Sequence, residues 1–92
     1  MSTTRIAVAG TLESNDIFIS ISGAGGQGEN TVELESIVFR QFGQAILSTI
    51  RQSLEFSGLR GVRVEAKDKG ALDCTIKARM ETAITRYKEP AQ

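Results

Sequence analysis

The sequence predicts an α+β fold: a two-layer sandwich of about four strands, antiparallel or mixed, with two helices on one face, in the order β-β-β-α-β-α. Three observations lead there. Apolar residues alternate with period two through the first third of the chain, a helical period takes over near Phe39, and both periods recur once more before the end. A one-faced sheet and an amphipathic helix each need a partner for the apolar side, and packing one on the other supplies it. The 92 residues provide for one core, so residues 1–92 read as a single domain.

In the first strand Ile6, Val8, Gly10 and Leu12 alternate with Ala7, Ala9 and Thr11, which suits one buried sheet face. After Glu13-Ser14-Asn15-Asp16 the alternation resumes, with Ile17, Ile19 and Ile21 inward and Phe18, Ser20 and Ser22 outward. Two such runs joined by a short polar cluster form a hairpin, and Asn15 is the residue there best able to take a left-handed backbone conformation. A third strand is expected over Thr31–Glu35, with Val32 and Leu34 facing the core.

Ser36 is placed to cap a helix whose apolar face is Phe39, Phe42, Ile46, Ile50 and Leu54, with Arg40, Gln41, Gln44, Ser48, Arg51 and Gln52 opposite. Gly58 is a natural stop, and Leu59 can fold back on the last turn. A fourth strand over Arg60–Lys67 buries Val62, Val64 and Ala66. The final helix is expected over Ala71–Lys88, with Leu72, Ile76, Met80, Ala83, Ile84 and Tyr87 as its core face; Pro90 falls in the tail, where it breaks nothing.

Composition removes several function classes. Eleven basic residues balance eleven acidic ones, so the net charge offers no pull toward nucleic acid or an anionic membrane. With no histidine in the chain, the commonest general base and the commonest metal ligand are both missing. The single cysteine, Cys74, cannot form an internal disulfide and requires no oxidising compartment. The first ten residues lack the apolar run of a signal peptide, and no segment has the length of a membrane span. A cytoplasmic protein is the default reading.

Four features invite a functional reading. Gly23-Ala24-Gly25-Gly26-Gln27-Gly28 is a literal G-x-G-x-x-G after a strand. The helix that would hold a pyrophosphate is missing, since residues 29–35 read as another strand, so the stretch is expected to be a flexible hairpin loop. Cys74 lies near the start of the last helix but off its core face; without histidine it has no activating base, and it reads as a structural thiol, tucked under a loop or partly exposed. Among the charges of the last helix, Asp73–Lys77 and Lys77–Glu81 have the spacing of helix-supporting pairs. Most of that face, including Arg79 and Arg86, reads as solvated, while Asp73 sits beside the core stripe and helps to start the helix. No acidic spacing suggests a metal site.

Ser14 is the fourth. A serine in a hairpin turn is ordinarily a solvated turn former, and a serine nucleophile would need a base that the chain lacks. The functional role left open to it is passive: an accessible hydroxyl that another enzyme modifies.

The run Ala7-Val8-Ala9-Gly10-Thr11-Leu12-Glu13-Ser14-Asn15-Asp16 resembles the N-terminal motif of the citrate lyase acyl carrier protein, the γ subunit of that enzyme. The resemblance continues through Arg40-Gln41-Phe42-Gly43-Gln44-Ala45-Ile46, Asp68-Lys69-Gly70-Ala71-Leu72-Asp73-Cys74, and Lys77-Ala78-Arg79 followed by Glu81, in the same order over nearly the whole chain. The glycine-rich stretch falls where that family varies, and Asn15 stands where its members often have glycine or serine.

The resemblance implies a non-catalytic carrier subunit. It implies that Ser14 receives 2′-(5″-triphosphoribosyl)-3′-dephospho-CoA, attached as a phosphoribosyl-dephospho-CoA group through a phosphodiester with loss of pyrophosphate. The thiol of that arm carries acetyl and citryl thioesters between the transferase (α) and lyase (β) subunits as citrate is cleaved to acetate and oxaloacetate. Further implied partners are the enzymes that attach and acetylate the arm. Read from the turn itself, the acids Glu13 and Asp16 are expected to be exposed and are candidate recognition features for the attaching enzyme or the partner subunits. Two alternatives stand beside this: the related carrier of malonate decarboxylase, and a non-carrier α+β interaction or ligand-binding module. A phosphopantetheine carrier fits poorly, because its Asp-Ser-Leu opens a helix whereas Glu13-Ser14-Asn15 follows a strand.

Overall fold

A computed structural model describes residues 5–23 and 28–89. The elements run β1 (Ile6–Gly10), β2 (Ile17–Gly23), β3 (Thr31–Ser36), α1 (Phe39–Ser57), β4 (Val62–Asp68) and α2 (Asp73–Lys88). The expected order β-β-β-α-β-α is the observed one, and the sheet is mixed.

The sheet is organised around β2, where Ile17, Ile19 and Ile21 are completely buried, each contributing about 1.5–3 kcal/mol of burial. β2 pairs antiparallel with β1 on one side and with β4 on the other, and β3 lies parallel to β4, giving the strand order β1-β2-β4-β3. The register places Ala9 opposite Ile19, Ile19 opposite Ala66 and Ala66 opposite Leu34. One face of the sheet is therefore continuously apolar. Ile46, Ile50 and Leu54 of α1 and Ile76, Met80, Ala83 and Ile84 of α2 pack on it as one cluster, so both helices lie on one face. The other face carries Arg63, whose Nη2 is 3.0 Å from Glu33 Oε1 and 3.0 Å from Glu65 Oε2. These groups are about half exposed and contribute little to stability.

Several expectations change in detail. In β1 the buried set is Ala7 and Ala9, while Ile6 and Val8 face outward. The expected hairpin over residues 23–28 does not join neighbouring strands, because β4 takes the place beside β2; residues 24–27 lie outside the described residues. The fully buried Val62, Val64 and Ala66 suit a central strand, whereas β3, with Glu33 and Glu35 exposed, suits an edge. Beyond the glycine-rich stretch the chain enters β3 and not a helix, so the strand-turn-helix setting of a dinucleotide site is not formed.

Ser36 is the last residue of β3 and does not cap α1, which begins after Val38. Its hydroxyl accepts from the Val38 N–H and donates to Asp68, closing the turn ahead of the helix. Phe39 and Phe42 are half-exposed. Val38 and Ala71 pack on the core from this end instead, and the Phe39 ring lies over Gly43 of its own helix. Leu72 leaves the core stripe because it is the N-cap of α2, with extended φ −72° and ψ 159°, so helical spacing does not apply to it. Gly58 ends α1 as expected, with φ 79° and its N–H donating to the Leu54 and Glu55 carbonyls.

Candidate functional site: the Ser14 turn

The loop of residues 11–16 between β1 and β2 is tied at both ends and open at its tip. Asp16 N–H donates to the Glu13 carbonyl at 3.1 Å, closing a four-residue turn with Ser14 and Asn15 at its centre. Asn15 has φ 65° and is the one non-glycine with positive φ among the described residues. A positive φ at the third position alone is the signature of a type II turn, which calls for glycine or asparagine there. Asn15 N–H donates to the Lys69 carbonyl and Lys69 N–H donates to the Asp16 carbonyl, both at 2.8 Å. The turn thus continues the β2–β4 ladder onto the β4–α2 connection. Ser14 and Asn15 remain exposed, and among the described residues no group hydrogen-bonds the Ser14 hydroxyl.

Below the tip lies a carboxylate that the sequence reading placed on the surface. Asp16 is 9% exposed and correspondingly is not an exposed recognition acid; Glu13 is exposed. Arg79 of α2 donates to Asp16 through Nε to Oδ1 at 3.0 Å and through Nη2 to Oδ2 at 2.9 Å, a bidentate fork. The Thr11 hydroxyl donates to Oδ2 and the Ile17 N–H to Oδ1, both at 2.7 Å. The Arg79 fork, helped by Thr11 and Ile17, holds the Asp16 carboxyl well below its ordinary 3.8, at about 2, against the opposing push of burial. The same pairing raises the Arg79 pKa. Thr11 Oγ1 also accepts from Glu13 N–H at 3.1 Å, linking the carboxylate to the first half of the turn.

Two further features brace this end of the sheet. Gly10 has φ +92°, and a Cβ there would collide with the Ile17 carbonyl, with Arg79 Cδ also in contact at 3.3 Å. Asp68, 1% exposed, accepts from the Ser36 hydroxyl at 2.8 Å and from the N–H groups of Gly70 and Ala71 at 3.2 and 2.9 Å. It stands opposite Ile17 on β2 and Ser36 on β3. Among the described residues no buried side-chain polar atom lacks a partner: Asp16 is satisfied by Arg79, Thr11 and one backbone N–H, and Asp68 by the Ser36 hydroxyl and two backbone N–H groups.

Sequence reasoning missed both roles, for different reasons. Asp68 had a signal: it continues the inward alternation Val62, Val64, Ala66, just as Ser36 continues Val32 and Leu34, and the two meet in register. Arg79 is 63 residues from Asp16, and no local pattern points from one to the other. Arg86 donates to the Val8 carbonyl at 2.8 Å while remaining exposed, so the charged face of α2 is solvated as expected except at the part-buried Arg79.

Cys74 is exposed. Asp73 lies in the first turn of α2, accepts from the Thr49 hydroxyl at 2.7 Å and pairs with Lys77 at 3.2 Å; Thr49 first, then Lys77, lowers its pKa. The Lys77–Glu81 pair does not form among the described residues. No group of histidine, cysteine and carboxylate side chains among the described residues could hold a metal ion, and no described helix is long and apolar enough to cross a membrane.

Comparison with known proteins gives a consistent picture. A family model named ACP, described as malonate decarboxylase delta subunit, matches residues 4–87. The citrate lyase acyl carrier protein of Streptococcus mutans is 52% identical over 82 residues, covering 89% of this chain and 79% of that protein. The protein of the same name from Serratia proteamaculans is 45% identical over 88 residues, with 96% and 85% covered. That of Lacticaseibacillus casei is 50% identical over 83 residues, with 90% and 80% covered.

Proposed function

The chain belongs to the citrate lyase acyl carrier protein family, a carrier subunit rather than a catalytic one, and on that premise we propose that Ser14 is the covalent anchor of its prosthetic arm. The observation that carries the proposal is the Ser14 hydroxyl, exposed and without a partner among the described residues, at the tip of a turn whose backbone is held from beneath.

A phosphoribosyl-dephospho-CoA arm fits this site. It is bulky and anionic, so its anchor has to stand clear of the core, and Ser14 does. An anchor also has to keep its direction, and the Asp16–Arg79 fork, the Asn15 conformation and the Lys69 backbone bonds provide that. When attached, the arm supplies a thiol on a long tether through which acyl groups pass between the transferase and lyase subunits, so the acyl chemistry belongs to the arm and the chain provides its anchor. Ser14 keeps that thiol within reach of both active sites, raising its local concentration without releasing it. Arg79, Asp16 and Asp68 position; they do not react.

On this reading the chain is one carrier domain over residues 1–92, works in the cytoplasm, and has as partners the α and β subunits and the enzymes that attach and acetylate the arm. Membership of a carrier family sets aside the plain interaction-module alternative. A malonate decarboxylase carrier is the second reading, motivated by the description of the matching family model; relatives about half identical and named for citrate lyase favour the first. Intact-mass measurement of the protein purified from its native host tests the proposal. A dephospho-CoA-derived adduct is expected on the natural protein and not on Ser14→Ala. An unmodified chain recovered within a working citrate lyase would overturn it.

A further inference from the structure

An apolar surface adjoins the Ser14 turn, and Gly70 is the link. A Cβ at Gly70 would lie 3.6 Å from Asn15 Oδ1 and 3.8 Å from Ile37 Cδ1. Gly70 also lines, with Phe42 and Leu72, an open cleft of about 320 Å³ at the starts of α1 and α2. Around this cleft Ile37 is 68% exposed, Phe42 53% and Leu72 69%. More than half of each side chain is in water, so none is held there chiefly by core packing. Single exposed apolar residues are ordinary; several of them grouped at one cleft beside an exposed anchor hydroxyl mark a surface that something covers.

Leu72 makes the point most sharply. It is the N-cap of α2 and makes no side-chain cap bond, a position where serine, threonine, aspartate or asparagine stabilises a helix and leucine does not. Helix stability therefore gives no reason for leucine here, and the exposed side chain buries little against the core. The one charged residue lining the cleft, Asp73, is engaged by Thr49 and Lys77, leaving the walls apolar.

We propose that this surface receives the enzyme that loads Ser14, through an apolar face bordering that enzyme's active site. The proposal rests on Ser14 being the anchor. In loading, Ser14 Oγ forms a phosphodiester bond to the phosphorus next to the ribose, pyrophosphate leaves, and the hydroxyl proton passes to a base of the loading enzyme. That enzyme has to bring its reacting phosphorus into bonding contact with Ser14, so it necessarily covers the ground around the turn, and the apolar surface is continuous with that ground. The acyl-exchanging subunits act at the thiol, at the far end of the arm, so their chemistry does not itself require contact at the turn. The part of the arm nearest its anchor is sugar and phosphate, which does not suit an apolar cleft.

The test uses the full chain, the loading enzyme and the triphosphoribosyl precursor, with loading followed by intact mass. Leu72→Ser and Ile37→Asn, and the two combined, are compared with the natural chain. Leu72→Ser is chosen because it supplies an N-cap: its melting temperature should hold or rise while loading kcat/KM falls by about tenfold, the size of an interface hot-spot loss, and further in the double variant. Loading at the natural rate overturns the proposal. So does normal loading with impaired citrate cleavage by the loaded variants, which assigns the surface to the exchanging subunits, and so do cleft-residue NMR shifts on loading in variants that load normally, which assign it to the arm. An adduct persisting on Ser14→Ala refutes the anchor reading itself and is distinguishable from all of these.

Discussion

Replacing Asp16 with asparagine isolates the contribution of the fork beneath the serine turn. The substitution keeps an oxygen for the Ile17 N–H but removes the charge that Arg79 grips. The drop of the carboxyl from 3.8 to about 2 corresponds to roughly 2.4 kcal/mol at about 1.36 kcal/mol per pH unit. The Arg79 side chain is 40% exposed, so water and salt screen its charge, and a loss of about 1–2 kcal/mol at pH 7 is the appropriate expectation. For a domain of this size that is a fall in melting temperature of about 5–15 °C. The pH dependence is diagnostic. Because the folded carboxyl is the stronger acid, its stabilisation is present above the unfolded value near 3.8 and is lost as pH falls toward 2. Urea unfolding of both proteins between pH 7 and pH 2 should show a gap that is constant above about pH 5 and closes toward pH 2. A gap that persists unchanged at pH 2, or no gap at pH 7, refutes the reasoning.

Other outcomes follow from the same geometry. Gly10→Ala sets a Cβ against the Ile17 carbonyl at a residue with φ +92° and should cost about 2–5 kcal/mol by chemical denaturation; a near-neutral result would mean that the strand end yields easily. Asp68→Ala strands the Ser36 hydroxyl and the Gly70 and Ala71 N–H groups, for a loss of about 2–4 kcal/mol, seen also as faster amide exchange at Gly70 and Ala71. Ser14→Ala removes an exposed hydroxyl and should leave the unfolding free energy within about 0.5 kcal/mol, so any loss of function can be read as loss of the anchor. Cys74→Ala should leave acyl loading intact, because on the proposed reading acyl groups ride on the thiol of the Ser14 arm and not on the exposed thiol of Cys74; abolished loading in a folded variant would contradict this.

The elements themselves were legible because periodicity is a local property. Ile17, Ile19 and Ile21 faced inward as their alternation required, and Ile46, Ile50 and Leu54 formed the buried stripe of α1. Differences fall at element ends and in β1, where alternation between Ile6 or Val8 and Ala7 or Ala9 does not say which set faces the core. Leu72 only caps α2, so helical spacing does not reach it, and Ser36 lies inside β3 and not at the start of α1. Asp68 lay one residue beyond the strand drawn for it, although its place in the alternation marked it as inward.

By itself the sequence determined that Ser14 would stand on a tight turn after a strand, that Asn15 would take its left-handed conformation, and that no histidine could make the serine a nucleophile. Those follow from chemistry within a few residues. Tertiary structure decided that β4 separates β2 from β3, that Asp16 is buried, and that Arg79 is the group holding it. Contacts across 63 residues arise only when α2 docks on the sheet, and side-chain pairing over that distance has no local period to announce it. The turn is written in its own residues; its rigidity comes from the other end of the chain.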